Sequence, residues 1–557
     1  MTARPSDAAP AQAAPSIPSA EDEVNALVAK AQTALKAFEQ LDQAQVDHIV
    51  AKASVAALNK HLTLAKLAVE ETGRGLVEDK ATKNLFACEH VTNHLAKQRT
   101  VGVINDNDVD GIVEIAEPVG VVAGVTPVTN PTSTAIFKSL IALKTRCPIV
   151  FGFHPGAQRS SAEAARIVRD AAIEAGAPAD CIQWIEHPSI EATGALMKHP
   201  GVATILATGG PGMVKAAYSS GKPALGVGAG NSPAYIERTA DVPAAVRRIL
   251  ASKTFDNGTI CASEQSVICE TVNRDEVVAE FKRQGAYFLT EDECHKVCQL
   301  LFRNGHSMSP KFVGRSPKVI ADAAGIHIPD GTRVLIGEQH GVGDKWPLSY
   351  EKLTTVLGFY TVSNWEEACD LSIALLQNGI GHTMSIHTES KDIVRKFSVK
   401  PASRILINTG GTQGGTGAST GLDVALTLGC GTWGGSSVSE NVGPQHLINV
   451  KRVVNGLVEP DELVAHDELF AKWHPELAAK AGNHGAPVAS DAGAGATCCS
   501  AAEAEKPHGV SGIEYSLGCN CGCGSTPNPN VERKSDVIDA EELQKMINEL
   551  VNAFKGE

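Results

Sequence analysis

The chain has 557 residues, 43% of them hydrophobic and 20% charged, so it exceeds a single core and should divide into two or three domains. Its net charge of −14 argues against a general nucleic-acid or anionic-membrane binder, although a local basic patch could hold a phosphorylated cofactor. The sequence has no apolar run that could span a bilayer, and residues 1–19 are rich in Ala, Pro and Ser and lack the apolar core of a secretory signal. We therefore expect a disordered start and a cytoplasmic chain.

The N-terminal part has the apolar spacing of helices, first from Glu21 to about Ala57 and then from Leu62 to Glu71. From 101 to 125 the pattern changes to β, interrupted by a turn. Strand-like and helical runs then alternate to about Ile268, which is typical of a parallel α/β sheet. The strand–helix pairs are predicted at 148–151 with 160–175 and at 202–207 with 213–220.

A second α/β stretch follows, with a Gly- and Thr-rich functional or connecting loop from Gly410 to Gly435 and a closing strand from His446 to Val454. Its predicted strands are 333–336, 356–362, 384–387 and 405–408, and its clearest helix is 365–376.

Beyond about Lys480 large apolar residues become rare, and residues 481–534 have the composition of a flexible linker. The last segment, 535–557, is different. Its apolar residues repeat at helical spacing from Leu543 to Phe554, and Asp539 and Glu542 have the spacing of a capping box. We therefore expect a short amphipathic helix with no core of its own.

Fourteen cysteines occur in the chain, and those before residue 480 have no paired spacing suggestive of disulfides. The tail cysteines could ligate zinc or an iron–sulfur cluster. Their C-x-C-x-C run is tighter than usual zinc spacing and lacks well-placed histidines, so a linker without metal is the preferred interpretation. The tail cysteines are Cys498, Cys499, Cys519, Cys521 and Cys523.

Cys261 is the candidate nucleophile. It follows the turn-forming Asp256-Asn257-Gly258 and precedes an apolar run, so it should lie where a loop meets regular structure. By position alone, inert packing is the more common role for a cysteine.

Two further segments carry polar groups at helix starts. Residues 203–217 form a strand, a glycine-rich turn and a helix start that could hold a phosphate or dinucleotide, although the G-x-G-x-x-G fingerprint is missing and a turn without ligand fits equally well. Asn130 lies in a proline-bounded turn before a helix, where its amide could donate to an oxyanion or merely shape the turn.

The sequence resembles the CoA-acylating aldehyde dehydrogenases: the aldehyde half of bifunctional aldehyde-alcohol dehydrogenases and the enzymes of bacterial microcompartments. The resemblance covers roughly residues 20–455. Its motifs are N-P-T-S-T-A-I-F-K-S-L-I-A-L-K-T-R at 130–146, L-A-T-G-G-P-G-M-V-K-A-A-Y-S-S-G-K-P-A-L-G-V-G-A-G-N-S-P at 206–233 and T-F-D-N-G-T-I-C-A-S-E-Q-S-V at 254–267.

The resemblance implies an α/β fold with a Rossmann-like cofactor domain (20–228, with a hairpin at 101–120), a catalytic domain (229–430) and a β oligomerisation arm (431–480) giving dimers or tetramers. It makes Cys261 the nucleophile, with Asn130 and the Cys261 backbone N–H stabilising the oxyanion. For NAD it implies Thr208, Gly209, Gly210 and Gly212 in the cofactor turn, Glu351 at the nicotinamide ribose and His154 near the adenosine ribose. For Glu351, a solvated surface acid is the alternative.

One departure bears on the second substrate. Hydrolytic relatives carry a water-activating glutamate in E-L-G-G-K-S-P, and the equivalent segment here begins with the apolar Val227. Water is then a poor acceptor, whereas a thiol ionises more readily. The expected product is an acyl-CoA from a short aldehyde such as acetaldehyde or propionaldehyde. A hydrolytic enzyme, or a scaffold acting through the tail, stays an alternative.

The terminal helix resembles the encapsulation peptides that dock enzymes to microcompartment shells or to other cargo, which would place the protein in a microcompartment lumen. The alternative is a helix that packs on its own subunit.

Overall fold

A computed structural model of the chain describes residues 18–459 except 305, 378 and 380. The predictions made for 481–534, for the tail cysteines and for the terminal helix lie outside these residues. Of the helices described, none is both long and apolar enough to cross a membrane.

The predicted helical stretch from Glu21 to Ala57 does not form one helix. It breaks at Asp42, whose side chain accepts a hydrogen bond from the Gln45 N–H while the Gln45 side chain accepts one from the Asp42 N–H. This capping box starts a new helix although the apolar periodicity continues. The first helices are α1 (Ala20–Phe38), α2 (Gln43–Leu58), α3 (His61–Thr72), α4 (Val77–Leu85) and α5 (Val91–Leu95), with a π-helical turn (Phe86–His90) between the last two.

A hairpin follows, as the β pattern predicts: β1 (Gly102–Asn107) pairs antiparallel with β2 (Ile112–Pro118). The chain then enters a five-stranded parallel sheet in the order β5-β4-β3-β6-β7. Its elements are β3 (Val122–Val125), α6 (Pro131–Lys144), β4 (Ile149–Gly152), α7 (Gln158–Glu174), β5 (Ile182–Trp184), α8 (Ile190–Lys198), β6 (Thr204–Thr208), α9 (Pro211–Tyr218) and β7 (Ala224–Val227).

Both faces of this sheet are buried because successive residues of each strand enter opposite cores. In β3, Val122 packs with Phe137 and Phe151 on one face, while Ala123 packs with Val28 and Ile205 on the other. The strand order reverses between β3 and β6, where the chain crosses from one half of the sheet to the other. Ligands of open α/β sheets bind at the carboxyl ends of the strands beside such a reversal.

A second parallel sheet has seven strands in the order β10-β13-β14-β9-β8-β15-β16. The predicted parallel α/β architecture is thus confirmed in both stretches. The strands of this part are β8 (Ser232–Ile236), β9 (Glu264–Glu270), β10 (Ala286–Phe288), β11 (Phe302–Arg303), β12 (Ser307–Met308), β13 (Val334–Glu338), β14 (Val356–Val362), β15 (Gly381–His387) and β16 (Ala402–Ile407), with β11 and β12 forming a separate small hairpin. The helices are α10 (Val242–Thr254), α11 (Arg274–Arg283), α12 (Glu291–Leu301), α13 (Pro317–Ala324), α14 (Trp365–Leu376), α15 (Lys391–Phe397) and α16 (Gly411–Gly415).

The closing strand is β17 (Ile448–Val454), and it pairs antiparallel with β2 rather than with either large sheet. The result is a three-stranded arm in the order β1-β2-β17, with Val450 opposite Ala116. Towards its end β17 exposes apolar side chains, including Val453 and Val454.

Candidate active site

A cavity of about 700 Å³ opens beside the reversal of the first sheet and reaches the turn that carries Cys261. Elements of both sheets supply its walls. Gly212, in the first turn of α9, does not line it. The predicted site residues that the fold brings together in the cavity wall are Asn130, His154, Thr208, Gly209, Gly210, Cys261 and Glu351.

Cys261 lies in the turn directly before β9, where its sulfur is partly buried. The neighbouring segment passes so close that a Cβ on Gly230 would lie 1.9 Å from the Cys261 carbonyl oxygen, so only glycine fits there. Burial, and then the charge of Glu351, raises the pKa of the Cys261 thiol to about 12. The thiol is therefore neutral near pH 7 and needs a partner to become a nucleophile.

A histidine that no sequence pattern indicated, His382, contacts this thiol. Its Nε2 lies 3.2 Å from Cys261 Sγ, and its Nδ1 lies 2.9 Å from the Thr383 hydroxyl oxygen, which also accepts a hydrogen bond from Arg404 Nε at 3.1 Å. Burial, together with the charge of Arg404, lowers the pKa of His382 to about 3. The imidazole is thus neutral, and an Nδ1–H donated to Thr383 leaves the Nε2 lone pair facing the sulfur.

Asn130 precedes α6, but its side chain does not cap that helix. The amide nitrogen instead lies 3.2 Å from the Thr259 carbonyl oxygen, two residues before Cys261, and 3.2 Å from the Thr129 hydroxyl. Its oxygen accepts a hydrogen bond from the Lys83 ammonium. The N–H₂ group is therefore the end of the side chain that faces the nucleophile's turn.

The glycine-rich turn joins β6 to α9 in the cavity wall. The Thr208 hydroxyl oxygen is buried there with no hydrogen-bond partner among the described residues, and a Cβ on Gly210 or Gly212 would meet no atom within 4 Å.

Across the cavity, Glu351 accepts a hydrogen bond from the Gly230 N–H at 2.9 Å, and burial raises its pKa to about 7. Glu351 is therefore part of the cavity wall and not a solvated surface acid.

His154 lies at the rim, where it is exposed and its Nδ1 accepts a hydrogen bond from the Gly156 N–H at 3.0 Å. Burial and then the charge of Arg74 lower its pKa, so the ring is neutral near pH 7. Val227 ends β7 as a buried apolar part of the same wall.

Residues 4–298 match the aldehyde dehydrogenase family. The chain belongs to this family. It is 53% identical over 448 residues to aldehyde-alcohol dehydrogenase 2 of Entamoeba histolytica, a match that covers 78% of this chain and 52% of that protein. The chain thus spans about half the length of the first curated relatives it matches.

Solved aldehyde dehydrogenases have the same fold. An acetylating aldehyde dehydrogenase from Geobacillus thermoglucosidasius is 49% identical with a TM-score of 0.78, covering 79% of this chain and 98% of that one. A Rhodopseudomonas palustris propionaldehyde dehydrogenase with bound propionyl-CoA is 27% identical with a TM-score of 0.70, covering 78% of this chain and 94% of that one.

Proposed function

We propose that this aldehyde dehydrogenase oxidises a short aliphatic aldehyde, acetaldehyde or propionaldehyde, to the acyl-CoA with NAD as the electron acceptor. The observation that carries the proposal is the contact of Cys261 with a neutral histidine at 3.2 Å, in a cavity where the apolar Val227 stands in place of a water-activating carboxylate. The acetylating relative and the relative with bound propionyl-CoA support the same reaction.

The cavity wall fits a dinucleotide. The unpartnered Thr208 hydroxyl and the open backbone of Gly210 at the start of α9 can hold phosphate oxygens. Glu351 has one carboxylate oxygen on Gly230 and a second free to accept from a ribose hydroxyl. Bound NAD would supply the nicotinamide carbon that accepts hydride. His154 at the rim remains a proposed contact to the adenosine end.

In the first half-reaction the Cys261 sulfur attacks the aldehyde carbon and the thiol proton passes to His382 Nε2. The resulting thiohemiacetal oxyanion takes a hydrogen bond from Asn130 Nδ2, whose present contacts at 3.2 Å are long enough to give way to a charged acceptor. Loss of hydride from that carbon leaves a thioester on Cys261. Because burial disfavours the imidazolium, His382 then releases its proton and becomes neutral again.

In the second half-reaction the coenzyme A thiol attacks the thioester, and His382 Nε2 is placed to take its proton. The acyl group moves to the coenzyme A sulfur, the bond between the acyl carbon and Cys261 Sγ breaks, and His382 returns the proton to the Cys261 thiolate, which restores the enzyme. Aldehyde, NAD⁺ and CoA–SH thus give acyl-CoA, NADH and one proton. The buried Val227 cannot activate water, so hydrolysis of the thioester is slow.

The test combines the nucleophile with the second substrate. We expect NADH formation to require added CoA, a thioester to be recovered, and Cys261→Ala to abolish turnover with NAD binding near normal. Cys294→Ala is the matched control, since Cys294 is also partly exposed but does not line the cavity. Turnover without CoA that yields the carboxylic acid would favour the hydrolytic alternative, and turnover by Cys261→Ala would reject the covalent mechanism.

Two further parts of the proposal concern partners. The arm β1-β2-β17 joins subunits into dimers or tetramers, which is supported by the exposed apolar end of β17. The segment 535–557 directs the enzyme to a microcompartment lumen, which is supported by its amphipathic sequence pattern.

A further inference from the structure

Three buried charges lie next to the turn of Cys261. Lys80, Lys83 and Asp256 are at most 4% exposed, and both ammonium groups contact the same carboxylate oxygen, Asp256 Oδ2. Two cations thus share one anion in a place where burying charge is costly. A second acid, Asp79, accepts a hydrogen bond from the Asp256 N–H at 2.7 Å. Two acids thus accompany the two lysines, and the lysines are distinguished by their other contacts.

The two lysines differ in what else they contact. Lys80 donates to the backbone carbonyl of Thr129 at 2.8 Å. Lys83 donates to the side-chain oxygen of Asn130 and lies 3.3 Å from the Thr259 hydroxyl oxygen. An ammonium has three N–H donors and no acceptor. Asp256, Asn130 and Thr259 use all three, so Lys83 has no proton left for a substrate and can act only through its neighbours.

We propose that Lys83 is a positioning residue that orients and polarises Asn130 as the oxyanion donor of the reaction proposed above. Only the oxygen of the amide can accept from an ammonium, so the contact fixes which end of Asn130 turns towards Cys261. A cation on the amide oxygen also withdraws electron density from the N–H₂ group. Its hydrogen bond to a developing oxyanion is thereby strengthened.

The geometry around Asp256 keeps Lys83 in place. The Asp256 side chain also accepts from the Leu76 N–H at 2.8 Å and from the Thr259 hydroxyl at 2.7 Å. Its backbone, with φ of 49°, is in the left-handed region, and so is that of Asn257. Such strained conformations persist where the surroundings determine them. The carboxylate therefore ties α4, which carries both lysines, to the turn of Cys261.

The experiment compares Lys83→Met with Lys80→Met, since each removes one buried cation from Asp256 but only the first removes the contact to Asn130. We expect kcat to fall roughly tenfold or more for Lys83→Met with KM for aldehyde within about twofold, because losing an oxyanion donor outright costs about 100- to 1000-fold. Lys80→Met should keep most of kcat. In an Asn130→Ala background, Lys83→Met should lower kcat by less than about twofold, since no amide is left to polarise.

Thermal unfolding and NAD binding verify that each variant is folded. If either methionine variant does not fold, Lys83→Leu and Lys80→Leu provide the same comparison, since leucine also lacks a hydrogen-bond donor. Equal losses of kcat for the two positions, or an undiminished cost in the Asn130→Ala background, would overturn the inference. Because the wild type is measured beside the variants, lack of CoA-dependent NADH formation by the wild type would instead reject the proposed function.

Discussion

Cys261 and His382 form a neutral pair at rest, because burial moves both pKa values away from the charged forms. The thiol has a pKa of about 12 and the imidazole a pKa of about 3. A preformed thiolate–imidazolium pair, as in many cysteine enzymes, is thereby disfavoured. In the proposed reaction the thiolate forms only as the Cys261 proton moves to His382 during attack, which would limit side reactions of the thiol.

Thiol alkylation tests this directly. Since the pKa of Cys261 is raised, the thiolate fraction should increase about tenfold per pH unit from pH 7 to 9. Iodoacetamide labelling of the Cys261 peptide, measured by mass spectrometry, should increase in parallel. Cys294 is an internal control, because its hydrogen bond from Cys298 lowers its pKa and should flatten its pH dependence. A Cys261 rate that is already constant between pH 7 and 8 would contradict a neutral resting thiol.

Single elements bring distant parts of the chain to this pair. Strand β15 places His382 beside a cysteine 121 residues earlier, and α4 reaches the same turn through Asp256. The arm differs from these elements. Among the described residues, β17 is an edge strand of a small sheet and exposes apolar side chains. Such an edge is suited to pairing with another chain.

If the arm joins subunits, charges on its edge should separate them. We expect the wild type to have the mass of a dimer or tetramer, and the double variant Val453→Asp with Val454→Asp to have the mass of a smaller species, measured by light scattering after size exclusion. The control is Val272→Asp with Val399→Asp, since these valines are 71% and 80% exposed but lie off the arm. A monomeric wild type, or an arm variant of unchanged mass, would reject the interface.

At the scale of the whole molecule, the two parallel sheets and their connecting turns enclose the cavity. The residues given a role in the proposed reaction all belong to the described part of the chain. The proposed reaction assigns no role to the C-terminal tail, and a separate role in localisation is consistent with the sequence of 535–557.

Removing residues 481–557 separates the two roles. We expect CoA-dependent turnover to change by less than about twofold, since each residue with a role in the proposed reaction precedes residue 481, while a fluorescent fusion of the shortened enzyme becomes diffuse in cells that make shells. The full-length fusion is the control. Loss of turnover, or metal bound to the full chain but not to the shortened one, would favour the alternative in which the tail is the active part.

The sequence by itself determined the parallel α/β elements, the turn of Cys261 and the glycine-rich turn after β6, because these depend on local periodicity and on residues close in the chain. The family resemblance of the sequence also pointed to Asn130 and Glu351. Only the tertiary structure revealed His382 and Lys83, since neither lies in a motif with its partner. Each contacts a side chain more than forty residues away in the chain. Local sequence patterns do not indicate which side chains the folded strands and helices bring together.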